Sequence, residues 1–85
     1  MKYHVEILPK ALKELETIPD LFYRKIEGVI DDLKNEPRPI HTMKLKGHEP
    51  RWRIRVGDHG ILHEIHVETG SGIVFRIKHR KEAYR

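Results

Sequence analysis

Regularly spaced cationic side chains are the feature of this sequence that could do chemistry. In the segment Arg51–Val56, which reads RWRIRV, arginines alternate with apolar residues. Because successive side chains of a β-strand point to opposite faces, Arg51, Arg53 and Arg55 would line one face. Guanidinium groups stay charged at physiological pH, and their paired N–H donors match phosphate or carboxylate oxygens. The spacing therefore predicts an anion-binding surface on one side of a strand.

A second strand follows after Gly57 and Asp58, and a two-residue turn that starts with glycine predicts a tight hairpin. This register would place Arg55 opposite Gly60 and Arg53 opposite Leu62. The alternation also predicts two sets of side chains in the second strand: Ile61, His63 and Ile65 towards a core, and Gly60, Leu62 and Glu64 on the arginine face. Glu64 is interpreted as a salt-bridge partner for an arginine. The alternative interpretation is a solvated face that binds no ligand.

Eight of the seventeen lysines and arginines lie in the last 35 residues of a chain whose net charge is +4. Such a balance favours an anionic partner, either nucleic acid or an acidic protein. The candidate binding residues besides the strand pair Arg53 and Arg55 are Lys44, Lys46, Arg51, Arg76, Lys78, Arg80 and Lys81. The histidines are scattered, and His63 and His66 fall on opposite strand faces, so no metal site is predicted.

The absence of cysteine excludes disulfides, thiol nucleophiles and cysteine-bound zinc, and it fits a reducing cytoplasm. No apolar run approaches the length of a membrane span, so no membrane partner is predicted. A chain of 85 residues has room for one core, and we expect a single domain over residues 1–85.

The elements that would position the arginines can be read from apolar periodicity. A strand is predicted over residues 2–7. A helix then begins at Pro9 and ends before Pro19, and a second helix is capped by Asp20 and ends before Pro37. Residues 40–50 are interpreted as a connector. A last strand over residues 73–78 would point Ile73, Phe75 and Ile77 to the core.

The predicted order is therefore β-α-α-β-β-β, which makes a two-layer α+β domain. An N-terminal strand and an antiparallel helix hairpin would pack on a mostly antiparallel four-stranded sheet. The helices would cover the apolar face of this sheet and leave its arginine face open.

Three segments of the chain resemble the RelE/ParE toxin superfamily of type II toxin–antitoxin systems. They are YHVEILPKALKELETIP near the start, MKLKGHEPRWRIRVGDHGILHEI in the middle and FRIKHRKEAYR at the end. Their order and spacing are similar to those of the family over essentially the whole chain, and the family has the same element order. By this resemblance, Lys46, Arg53, Arg55 and Arg80 match the basic residues of an RNA-binding and catalytic surface. Tyr84 matches a C-terminal catalytic tyrosine.

The resemblance implies a RelE-like mRNA interferase, which is an endoribonuclease that cuts ribosome-bound mRNA and needs no metal or other cofactor. It also implies a ribosome partner, a cognate antitoxin that forms a hetero-oligomer with the toxin, and a cytoplasmic location. Catalytic roles would fall to Arg53, Arg55, Arg80 and Tyr84. Further proton-transfer candidates are His59, His79 and Glu64.

Gly60 stands where RelE-type enzymes carry a phosphate-contacting arginine, and this departure favours an alternative. The alternative is a ParE-like inhibitor of DNA gyrase, or a homologue that has lost catalysis and acts as a binding module. A further possibility is a nucleic-acid-binding protein without toxicity. The fold is shared by all of these, so it does not choose among them.

Overall fold

The structure is a computed structural model, and it describes residues 3–36, 42–45 and 51–79. Two helices and five strands are formed by these residues. In chain order they are β1 (His4–Ile7), α1 (Pro9–Glu16), α2 (Asp20–Asp32), β2 (Thr42–Lys44), β3 (Arg51–Val56), β4 (His59–His66) and β5 (Ser71–His79). The strands form one sheet in the order β1-β5-β4-β3-β2. Only the β1–β5 pair in this sheet is parallel.

The predicted α+β fold is confirmed, but the sheet has five strands where the sequence predicts four. The additional strand is β2, which lies in the segment interpreted as a connector and pairs antiparallel with β3. A strand of three residues is too short to show a readable alternation of apolar and polar side chains. This strand is recognised only by its pairing with β3 in the structure.

Both helices begin near the predicted positions. Helix α1 starts at Pro9, whose fixed φ suits a first helical turn. Helix α2 starts one residue earlier than capping by Asp20 would require, because Pro19 occupies the N-cap position in an extended conformation. The carbonyl oxygen of Pro19 accepts the backbone N–H groups of Phe22 and Tyr23. Asp20 therefore lies inside the first turn, where its negative charge still favours the helix dipole.

The core lies between the helices and one face of the sheet. Helix α1 packs mainly on β5, and α2 packs on β3. The buried apolar cluster consists of Ala11, Leu15, Ile26, Ile30, Leu33, Ile54, Ile61, Val74 and Ile77. His63, predicted to be a core residue, is also buried. In the described residues, neither helix has the length and apolar character that crossing a membrane requires.

The hairpin of β3 and β4 has the predicted register, with Arg55 opposite Gly60 and Arg53 opposite Leu62. Gly57 has a φ of 58°, which is a left-handed conformation that glycine adopts without strain. A Cβ atom at this position would also lie 3.3 Å from the ring of Phe22. The turn thus needs glycine both for its backbone and for the close approach of α2.

Strand β5 departs from the predicted alternation because its pairing with β4 is irregular. Leu62 pairs with Arg76 and the next residue, His63, pairs with Val74, so Phe75 is an extra residue in the ladder. Such a bulge shifts the faces on either side of it. Val74 and Ile77 are both buried in the core, whereas Phe75 contacts Arg51 on the other face. The prediction that Ile73, Phe75 and Ile77 share the core face is therefore wrong.

The bulge can be tested by exchanging two neighbouring residues of β5 in turn. We expect Val74→Thr to lower the free energy of unfolding by about 1–3 kcal/mol, because it buries a hydroxyl group among apolar side chains. Ile73→Thr is the matched control and should cost less than about 1 kcal/mol. Urea unfolding of both variants measures the two values. A larger loss of stability for Ile73→Thr than for Val74→Thr would indicate that β5 alternates regularly and has no bulge.

Candidate functional site

The sheet face opposite the helices, here called the basic face, gathers cations from two strands. Arg53 and Arg55 lie on β3, on the opposite side from the buried Ile54. Gly60 of β4 pairs with Arg55 on one side and with Lys78 of β5 on the other. Directly paired residues share a face, so Arg55 and Lys78 flank the glycine, with their backbones about 10 Å apart, two strand spacings of about 4.8 Å.

The two arginines of this group differ in exposure and in contacts. Arg53 is half-buried, and its Nη2 lies 3.3 Å from Sδ of Met43, its partner on β2. Arg55 is exposed, and within the described residues no ion pair or hydrogen bond engages its side chain or that of Lys78. Neither Arg55 nor Lys78 is therefore paired with a carboxylate in this part of the chain.

Arg51, a predicted anion ligand, is held by an acidic partner on the same face. Its Nε lies 3.4 Å from Oε2 of Glu64, the residue directly opposite on β4. The other oxygen of Glu64 lies 2.9 Å from Nε2 of His66. The guanidinium carbon of Arg51 also lies 4.9 Å from the centroid of the Phe75 ring. This geometry agrees with the interpretation of Glu64 as a salt-bridge partner. Because both of its oxygens are engaged, Glu64 is not placed to act as a general base.

Arg76, another predicted anion ligand, is engaged by helix α1. Its Nε and Nη2 donate to the carboxylate of Glu14 over 2.9–3.1 Å, and the backbone N–H of Ile77 donates to the same carboxylate over 3.0 Å. Burial alone would raise the pKa of Glu14, but the hydrogen bonds from Arg76 and Ile77 outweigh it and lower the pKa. Glu14 thus ties the helix layer to β5 rather than leaving Arg76 for a ligand.

One further predicted site residue is described by the structure, and it lies on the other face of the sheet. Lys44 pairs with Trp52 and therefore shares the helix side of the sheet. Lys46, Arg80, Lys81 and Tyr84 lie outside the described residues.

The histidine candidates for proton transfer lie across the sheet from the arginines. His59 packs against Phe22 of α2 and against His79, with ring centroids 5.3 and 5.5 Å apart. Burial and the neighbouring His79 lower the pKa of His59. Both histidines line a pocket of about 330 Å³, together with Glu14, Thr17, Ile18, Pro19 and Ile77. No group of three or more potential metal ligands occurs in residues 3–36, 42–45 and 51–79.

Sequence reasoning missed Phe75 and Glu14 as neighbours of the cations. Glu14 is 62 residues from Arg76, and no local pattern signals a pairing over that separation. The alternation predicts a core position for Phe75, because a bulge that turns it to the basic face cannot be read from the sequence pattern. A polar residue on an otherwise apolar helix stripe is the one signal that could have pointed to Glu14.

Comparison with known proteins agrees with the fold. Residues 5–84 match the profile of the ParE toxin of the type II toxin–antitoxin system parDE. The protein RelE1 of Methanocaldococcus jannaschii is 30% identical over 88 aligned residues, which cover 100% of this chain and 98% of the relative. The chain is thus similar to named toxins over its whole length.

Two solved complexes share the fold. The archaeal RelE–RelB complex from Pyrococcus horikoshii contains a chain with 26% identity and a TM-score of 0.85, covering 96% of this chain and 99% of that one. The RelB–RelE antitoxin–toxin complex from Methanococcus jannaschii gives 27% identity and a TM-score of 0.77, with coverages of 92% and 93%.

The matching family model and the relatives thus define a small α+β protein of the toxin class. The chain belongs to the RelE/ParE toxin superfamily of type II toxin–antitoxin systems, within which it is a RelE-like toxin.

The ion pair between Glu14 and Arg76 gives a pH-dependent prediction. The pKa of Glu14 in the fold is below its usual value of 4.5, so the pair stabilises the fold fully above that value. This contribution is lost as the pH falls through the lowered pKa. We expect Glu14→Gln to reduce the free energy of unfolding by about 1–2 kcal/mol at pH 7 and by much less in acid.

Urea unfolding at pH 7 and below pH 4 measures this difference. Glu16→Gln is the matched control, since Glu16 is exposed on the same helix, and it should be nearly neutral at both values. An equal loss for Glu14→Gln at both pH values would show that the carboxylate charge has no role.

Proposed function

We propose that this RelE-like toxin is an endoribonuclease that cuts mRNA on the ribosome and so inhibits translation. The observation that carries the proposal is the grouping of Arg53, Arg55 and Lys78 on a sheet face that lies opposite both described helices. A row of fixed cations on an extended, shallow surface suits a single-stranded ribose–phosphate chain.

The proposed reaction uses the substrate's own 2′-hydroxyl group as nucleophile. The 2′-oxygen bonds to the adjacent phosphorus, its proton passes to a base, and the bond from phosphorus to the 5′-oxygen breaks as that oxygen is protonated. Negative charge grows on the phosphoryl oxygens during this step. Arg53 and Arg55 would stabilise that charge, since their forked donors match phosphate geometry. A metal is not required for any part of it.

Proton transfer needs a separate group, because guanidinium groups do not release protons at neutral pH. The engagement of Glu64 by Arg51 and His66, and the position of His59 and His79 beneath the sheet, argue against these three. We assign the transfer to Tyr84, with Arg80 as a further phosphate ligand, on the basis of the family resemblance. Binding to the ribosome would orient the message, and orientation alone can supply much of the acceleration.

Although Gly60 replaces the arginine of the family, cationic side chains still lie next to this position. Arg55 and Lys78 lie on either side of it across the sheet, and both are without an acidic partner among the described residues. Lys78 is therefore proposed to contact the phosphate that the missing arginine would bind. This arrangement supports the nuclease over a homologue that has lost catalysis.

Partners and location follow from the same proposal. RelE chains of other organisms are solved as complexes with RelB antitoxins. We infer that this toxin is likewise neutralised by a cognate antitoxin in a hetero-oligomer, and that it acts on ribosomes in the cytoplasm. A small reading frame adjacent to its gene is the expected source of that antitoxin.

The proposed site can be tested with purified protein and ribosomes translating a defined message. Wild-type protein should cut the message within codons. Arg53→Ala/Arg55→Ala should reduce the cleavage rate at least about a hundredfold, because each lost donor stabilised transition-state charge. Lys78→Gln should also slow cleavage, which would establish it as the replacement for the family arginine. Primer extension on the message measures the cuts.

Arg24→Ala/Lys25→Ala is the matched control, since it removes the same charge from the exposed face of α2. It should cut at the wild-type rate, and circular dichroism should show that all variants are folded. Undiminished cutting by Arg53→Ala/Arg55→Ala would refute the site. Filamentation with a DNA-damage response on expression, without cleavage, would instead identify a gyrase inhibitor.

A further inference from the structure

At one end of the basic face, a cationic side chain lies over an aromatic ring. The guanidinium carbon of Arg51 lies 4.9 Å from the centroid of the Phe75 ring, and its Nε lies 3.4 Å from Glu64. Two neighbours on different strands therefore hold this guanidinium. A group fixed in this way loses little further freedom when a ligand contacts it.

The position of Phe75 is set by the bulge in β5. Because Phe75 is the extra residue of the ladder, it leaves the core to Val74 and Ile77. The ring of Phe75 is only partly buried, lies beside the cations and does not belong to the core cluster. It is available to support a planar group laid above it.

The contacts of Arg51 separate it from a simple phosphate ligand. Glu64 offsets its charge, whereas Arg55 has no acidic partner among the described residues. The side chain of Arg51 nevertheless keeps 47% of its surface exposed. The side chain is thus accessible to a ligand, and a guanidinium group is planar and weakly hydrated.

We propose that Arg51, supported by Phe75, is a base-stacking site for single-stranded RNA bound to the basic face. Unstacked bases are commonly held on aromatic rings or guanidinium planes. The base would lie on the exposed side of Arg51 and continue the stack that begins with Phe75. Stacking strength then favours a purine at this position. This inference rests on the proposed function, since it takes the RNA to be the substrate.

The separation along β3 fits a role at a different nucleotide from the one cleaved. Arg51 and Arg55 are four residues apart, which is about 13 Å at about 3.3 Å per strand residue. That length exceeds the rise of about 3.4 Å between successive stacked nucleotides, so the two side chains would contact different nucleotides. The stacking site would thus recognise a base near the scissile phosphate without touching it.

The test measures toxin binding to ribosomes whose A-site codon carries 2′-deoxy residues, so that no nucleophile is present. Each base near the A site is removed in turn by an abasic substitution. We expect one abasic position to weaken binding of the wild-type protein about tenfold or more. Phe75→Leu and Arg51→Lys should bind the intact message more weakly by a similar factor, and they should be insensitive to that abasic position.

Two variants keep the test independent of folding. Phe75→Tyr retains an aromatic ring and should bind like the wild type. Arg24→Lys on α2 makes the same chemical change as Arg51→Lys at an exposed position remote from the basic face, and it should have no effect.

Unchanged affinity of Arg51→Lys would overturn the proposal, because a point charge would then suffice. Equal sensitivity of the wild type and Phe75→Leu to every abasic position would overturn it as well. Cleavage of an ordinary message, measured in parallel, separates the two hypotheses. If the wild type cuts while these variants bind normally, only the stacking site fails; if the wild type neither cuts nor binds, the proposed function fails with it.

Discussion

The structure depends on the amphipathic character of strand β3, which has one apolar face and one cationic face. Ile54 is buried beneath the helices, and the residues on either side of it carry guanidinium groups on the opposite face. Burial of the apolar side fixes the orientation of the strand, since a slip of one residue would exchange every side chain between core and solvent. The same burial that stabilises the fold therefore holds Arg53 and Arg55 in place, and the arginines need no dedicated scaffold of their own.

This constraint explains which parts of the molecule could be predicted from sequence. The β3–β4 hairpin combines strict alternation with a glycine turn, and both its register and its faces are as predicted. The helices also follow from their apolar stripes and from Pro9 and Pro19, apart from the capping role assigned to Asp20. In these segments the information is local, so neighbouring residues suffice to reveal it.

Other features depend on contacts between distant segments, and the local sequence pattern does not predict them. The bulge at Phe75 reverses the faces of part of β5, and only the pairing with β4 shows it. Glu14 of α1 engages Arg76 because helix and strand meet in the fold. Strand β2 is too short to signal itself without β3. For this reason the basic face was predicted correctly on β3, but its boundary on β5 was not.

Two carboxylates make the two ends of the basic face different. Glu14 and Glu64 engage Arg76 and Arg51, whereas Arg55 and Lys78 have no acidic partner in the described chain. Cations without an ion-pair partner therefore lie beside the hairpin turn, and the opposite end carries an ion-paired guanidinium over an aromatic ring. If the proposed function holds, phosphate would bind at the first end and a base at the second, and the RNA strand would lie in one direction. A uniform row of arginines would supply affinity without that orientation.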